Sequence, residues 1–134
     1  MLEYSGTRLT LRYCEQPPGD ANPATWQPPS WIETTKDIPP RKLDGIRAKL
    51  VARRKVLADQ GLLRTPDHWN TEGELPDGKR FYAIKADSLR AYGWFSLRHK
   101  GVFYISHFAL KQGQKLAKKD TNRVITNWRH IEGQ

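Results

Sequence analysis

A small α+β domain, a twisted antiparallel β-sheet packed against N-terminal and C-terminal helices, is the fold class this sequence predicts. Three observations carry that reading. Residues 8–14, 80–86, 89–98 and 102–110 show the strand-like composition or period-two alternation of half-buried strands, while residues 37–61 and 117–131 space their apolar side chains as helices do. A length of 134 residues supports one modest core, so residues 1–134 are read as a single domain. Apolar residues make up 37% of the chain, and five tryptophans, five tyrosines and four phenylalanines give that core enough bulk to fold despite a polar average.

The first strand covers residues 8–14, with Leu9, Leu11 and Tyr13 on one side and Arg8, Thr10 and Arg12 on the other. A proline-rich loop follows at about 15–36, where Pro17, Pro18, Pro23, Pro28 and Pro29 argue against both helix and central strand. Trp26 and Trp31 in this loop either pack back onto the domain or face a partner, and packing is the commoner fate of large aromatics. Asp37 ahead of Pro39-Pro40 resembles a helix start, and Gly61 is placed to end that helix. Leu43, Ile46, Leu50 and Leu57 share one helix face. Arg41, Lys42, Arg47, Lys49, Arg53, Arg54 and Lys55 supply most of the rest, either as a solvated outer surface or as contacts to RNA phosphates.

A turn-rich stretch with Pro66, Gly73, Pro76 and Gly78 leads into the strands. In residues 89–98, Leu89, Ala91, Gly93, Phe95 and Leu97 form an apolar face, and Arg90, Tyr92, Trp94, Ser96 and Arg98 form a basic, aromatic one. His99-Lys100-Gly101 makes a tight hairpin loop into residues 102–110. The closing helix carries Val124, Ile125, Trp128 and Ile131 as a core stripe.

Lysine and arginine number 23 against 14 acidic residues, a formal charge of +9, which favours a polyanionic partner. Lone Cys14 can form no internal disulfide and is read as a small apolar strand residue. No apolar run is long enough to span a bilayer and the first residues lack the apolar stretch of a signal peptide, so a cytoplasmic protein without membrane contact is expected. Walker-type, nucleophile-elbow and zinc-protease motifs are absent from the sequence, and scattered acidic residues argue against a two-metal nuclease. No metal or cofactor is expected.

RNA can be cut without metal when the 2′-hydroxyl attacks the neighbouring phosphate, which needs a proton acceptor, a proton donor and cations about the phosphorus. The candidates for that work lie in the C-terminal half, at Lys85, Arg90, Arg98, His99, His107, Lys111 and Lys115. Tyr92 and Trp94 would stack on exposed bases beside Arg90. Each feature also has an ordinary explanation: half-buried strands often carry arginine and tyrosine, and His107 is more often a hydrogen-bonded sheet histidine than a catalyst.

The blocks Phe81-Tyr82-Ala83-Ile84-Lys85, Leu89-Arg90-Ala91-Tyr92, Val102-Phe103-Tyr104-Ile105-Ser106-His107-Phe108 and Lys111-Gln112-Gly113-Gln114-Lys115 resemble the RelE/ParE toxin superfamily, especially its HigB-like, phage-related branch. The resemblance spans residues 38–131 in element order and is specific over 81–115. It implies a RelE-like fold and the toxin of a type II toxin–antitoxin system, a ribosome-dependent mRNA endoribonuclease held silent by a cognate antitoxin with a helix-turn-helix domain. A non-enzymatic relative that binds nucleic acid or protein, including ParE-like gyrase inhibition, is the alternative. Arg90 matches the family's phosphate-binding strand arginine, Lys85 the basic residue of the preceding strand, and His107 and Lys111 the histidine and lysine of the turn region. These four are the expected catalytic residues; Tyr92, Trp94, Arg98, Lys115, Arg47 and Arg54 are expected to hold RNA. The long proline-rich insertion and the missing terminal-strand tyrosine depart from the RelE branch, and acid and base roles are left unassigned.

Overall fold

The structure is a computed structural model and describes residues 3–111 and 116–133. The elements run β1 (Glu3–Ser5), β2 (Thr10–Tyr13), α1 (Pro29–Thr35), α2 (Pro40–Gln60), β3 (Trp69–Glu74), β4 (Arg80–Ala86), β5 (Leu89–Phe95), β6 (Val102–Leu110) and α3 (Lys118–Glu132). The six strands form one sheet in the order β1-β2-β6-β5-β4-β3.

The α+β class stands, but the sheet is mixed rather than antiparallel. β2 pairs parallel with β6, Leu11 lying opposite Phe103, whereas the other neighbours pair antiparallel. A short edge strand, β1, precedes β2, so no helix opens the described chain; α1 and α2 instead fill the crossover between β2 and the β3–β6 meander. Local alternation is the same for parallel and antiparallel pairing, and the crossover alone decides between them.

The proline-rich segment contains α1, contrary to expectation. Pro28 caps it and Pro29 is its first residue, where a missing N–H costs nothing. Glu15 holds the helix by accepting from the Ser30 amide at 2.9 Å and from its hydroxyl, and the Phe108 amide donates to Ser30 Oγ at 2.9 Å. Trp31 is buried edge-on against Phe108, their rings 5.1 Å apart, so it packs inward as expected. α2 starts on Pro39 rather than on an Asp37 side-chain cap, and ends at Gly61, whose φ of 82° suits glycine.

Two apolar layers sandwich the sheet. On one side Ile46, Leu57 and Trp31 from the two N-terminal helices meet Leu11, Ile84, Ala91 and Phe103; on the other, Val124 of α3, with Trp128 and Ile131 beside it, meets Phe81, Ala83, Tyr92, Trp94 and Tyr104. Gly93 lets the sheet close up, since a Cβ there would lie 2.3 Å from the Tyr104 carbonyl oxygen. Burial pushes the Cys14 thiol up to about 12, and the side chain packs against the α3-side core. No helix of the described residues is long and apolar enough to cross a membrane.

Candidate active site

A β-bulge organises the α3 face of the sheet. Tyr92 lies opposite His107 but Gly93 lies opposite Ile105, which leaves Ser106 as the extra residue on β6. Ser106 Oγ and His107 Nδ1 are 2.8 Å apart, Asn127 Nδ2 donates to Ser106 Oγ at 2.8 Å, and His107 Nε2 sits 2.9 Å from Asp120 Oδ1. The ionised Asp120 carboxylate only accepts, so Nε2–H donates to it, and in the neutral imidazole Nδ1 then accepts from the Ser106 hydroxyl. His107 is 1% exposed and Asp120 7%. Both imidazole nitrogens are therefore engaged in a closed, buried relay between β6 and the first turn of α3.

The cations gather one rung along. Lys85 on β4 lies directly opposite Arg90 on β5, and Arg90 opposite Ala109 on β6. Asp87, with φ of 54°, turns the chain tightly between these strands. Arg90 is nearly buried. Its Nη1 donates to the carbonyls of Asp87 at 2.6 Å and Leu89 at 3.1 Å, while its Nε is buried without a partner. Lys85 Nζ donates to the Pro66 carbonyl at 2.8 Å, and Arg53 Nη1 donates to the Lys85 carbonyl. Lys111 leaves the end of β6, its amide tied to the Ser88 carbonyl at 2.8 Å. Burial, then the charges of Arg90 and Lys111, hold the Lys85 ammonium below the usual lysine range, against the opposing pull of Glu72 and Asp67. Burial likewise lowers the Arg90 guanidinium.

Lys85, Arg90 and Lys111 thus interact at one end of the central strands, with His107 a rung away on the same face. A cleft of about 700 Å³ opens beside Lys111 and His107, between α1, the end of β6 and the start of α3; Lys85 and Arg90 do not line it. Tyr92, His107 and Asp120 line it along with Lys111, Lys119 and Arg123. Arg123 is paired with Glu15 at 3.5 Å.

The remaining expected residues lie elsewhere. Tyr92 and Trp94 are 1% and 0% exposed and offer no free ring face for a base, which corrects the stacking expectation. Tyr92 meets Phe81 edge to face at 6.0 Å, and Trp94 stacks on Tyr104 at 5.4 Å and donates through Nε1 to Glu132 at 2.9 Å. Period two identifies which side chains share a face; here α3 covers the face that the sequence left open to RNA. Arg98 sits in the β5–β6 hairpin, at the opposite end of β5 from Arg90, with its amide donating to Glu132 at 2.8 Å. Arg47 and Arg54 belong to α2, on the other side of the sheet. Arg47 lies over the Trp31 ring at 5.7 Å and Arg54 over Tyr4 at 4.5 Å. Lys115 lies outside the described residues.

Sequence reasoning missed Ser106, Asp120 and Asn127. Asp120 carried one usable signal, an acidic residue in the first turn of a helix. Among the described residues no cluster of three or more His, Cys, Asp or Glu side chains could hold a metal.

Fold and site together define a basic, mixed-sheet α+β domain in which three cations gather at one end of the central strands, Lys111 at the edge of a cleft. Comparison of the chain with protein-family models, curated proteins and solved structures finds no match.

Proposed function

We propose that the protein is a metal-independent endoribonuclease that cuts mRNA on the ribosome, acting in the cytoplasm as the toxin of a type II toxin–antitoxin system of the RelE/ParE kind. The observation that supports this reading is the direct opposition of Lys85 and Arg90 with Lys111 close enough to act on the lysine's charge. Among the described residues none of the three forms a salt bridge. Cations preorganised in this way suit the charge that grows on a phosphate under in-line attack, where a fixed guanidinium and ammonium need no reorganisation at the moment of reaction. A cognate antitoxin with a helix-turn-helix domain would hold such an activity in check.

One observation favours a second reading. His107 has both ring nitrogens occupied, so the residue best suited to proton transfer near neutral pH is committed to the fold. A non-enzymatic relative that binds nucleic acid or protein, gyrase included, needs only the cations.

Induced expression with mapping of mRNA 5′ ends separates the two. The nuclease gives growth arrest with new in-frame cuts, and both vanish in Lys85→Ala and Arg90→Ala variants that accumulate as soluble protein. Arrest without cuts supports the binding reading, and absence of arrest refutes the toxin assignment.

A further inference from the structure

The apolar layer beneath α1 and α2 is not closed. Arg47, Leu50, Val51 and Arg54, spaced i, i+3, i+4 and i+7, form one face of α2, and space remains between that face, α1 and the strands. An inner chamber of about 130 Å³ has Ile84, Ala91 and Ile105 as its floor, and an outer one of about 220 Å³ extends past Gln27 and Pro28 to Glu3. Tyr13, Trp31, Phe108, Arg47 and Arg54 line both, so the two adjoin. Strand register accounts for the depth: Ala91 lies opposite Ile84 on β4 and Phe108 on β6, a single methyl between two large side chains. Protein interiors are ordinarily packed to the density of organic crystals, so apolar walls around an opening of this size forgo contacts that an occupant would restore.

The charges decide the chemistry of that occupant. Arg54 makes no salt bridge or hydrogen bond among the described residues, and its guanidinium lies over the Tyr4 ring at 4.5 Å. Arg47 lies over the Trp31 ring at 5.7 Å and reaches the exposed Asp44, one turn back on its own helix, at 3.9 Å. Glu3, the carboxylate among the described lining residues, is taken by Arg12 at 2.9 Å. Two guanidiniums held over aromatic rings with no free carboxylate between them favour an anion, and the arginine fork matches a carboxylate with two parallel hydrogen bonds. The floor offers no polar side chain, which disfavours a nucleobase, whose edge would go unbonded there.

We propose that this pocket binds a small monocarboxylic acid, its hydrocarbon body in the inner chamber and its carboxylate between Arg47 and Arg54. An apolar cavity of about 150 Å³ holds benzene, so the inner chamber takes a body of about five carbons. The pocket lies on the opposite side of the sheet from the α3 face, and the inference does not depend on the endoribonuclease reading.

The test titrates hexanoate into the full chain, with hexanamide and acetate as controls, and follows methyl and amide NMR signals. Hexanoate should shift the methyl signals of Ile84, Ala91 and Ile105 and give NOEs from its terminal methyl to theirs. Hexanamide keeps the body and loses the charge, whereas acetate keeps the charge and loses the body; each should bind at least about tenfold more weakly. Arg54→Gln should weaken hexanoate about tenfold while the rest of the amide spectrum holds its positions. Should R54Q unfold, Arg47→Gln, at a half-exposed side chain, carries the same test. Absence of NOEs to the three floor methyls, hexanamide binding as tightly as hexanoate, or full affinity in both arginine variants overturns the proposal. So does a leucine-ending peptide that binds through its C-terminal carboxylate where hexanoate does not, since the pocket then takes a chain terminus rather than a free acid.

Discussion

Removing the Glu132 carboxylate should loosen α3 from the β5–β6 hairpin. That single group accepts from Trp94 Nε1 at 2.9 Å, from Ser96 Oγ at 2.7 and 3.0 Å to its two oxygens, and from the amides of Leu97 and Arg98 at 3.1 and 2.8 Å. The donors are not equal. Leu97 and Arg98 are exposed, so water replaces the carboxylate there at little cost, whereas Trp94 is fully buried and its indole N–H would be stranded. Hydrogen bonds to a charged group contribute about 1.5–3 kcal/mol and a stranded donor costs about 1–3 kcal/mol, which places Glu132→Ala at about 2–3 kcal/mol. Unfolding entropy of about 2.1 cal/mol/K per residue over the whole chain converts this to a fall in Tm of about 7–11 °C. Glu132→Gln, which keeps one acceptor oxygen, should lose about half as much.

The pH dependence has a definite sign. Burial raises the Glu132 pKa, but the bonds from Trp94, Arg98, Ser96 and Leu97 outweigh it and hold the group below its ordinary value of 4.5. A depressed folded-state value contributes stability above the unfolded pKa, and that contribution disappears as pH falls through the folded one. Melts of wild type and E132Q should therefore differ at pH 7 and converge in acid, where the wild-type group is itself neutral. A Glu132→Ala melting point within about 2 °C of wild type, or an E132Q gap that stays constant from pH 7 to pH 3, refutes the reasoning.

Two further expectations concern the core. Gly93→Ala drives a methyl to 2.3 Å from the Tyr104 carbonyl and 2.5 Å from Phe103 Cε1, neither of which can retreat, so it should cost about 3 kcal/mol, read as a lower urea midpoint. Asp120→Ala strands the His107 Nε2–H and should cost about 1–3 kcal/mol, while Asp120→Asn keeps an acceptor and should cost less than about 1 kcal/mol. Loss of the slowly exchanging imidazole proton signal in the alanine variant alone would check the same contact by NMR.

β4 and β6 match their sequence-read spans, and α2 stops at the glycine chosen to stop it, because each rests on local rules that hold wherever the segment lies. Segments without a local signature escaped notice. β1 is three residues long, and β3, Trp-Asn-Thr-Glu-Gly-Glu, has too few apolar residues to alternate; both exist because a neighbouring strand offers an edge. α1 hid behind prolines that exclude a helix interior but not its first residue.

Of the candidate site, residue chemistry could be read directly. Lys85, Arg90, His107 and Lys111 were picked out by type and order, and the hairpin turn alone brings Lys85 opposite Arg90. What the chain by itself determined was thus β2, β4, β5 and β6, the helices α2 and α3, and the cationic character of one strand end, all of which follow from neighbours in sequence. Only the tertiary structure decided which face is wet. Docking of α3 turned Tyr92 and Trp94 from a presumed RNA platform into core and bonded His107 to a helix thirteen residues further on. Burial and hydrogen-bond partnership depend on residues far apart in sequence, and alternation along one strand carries no information about them.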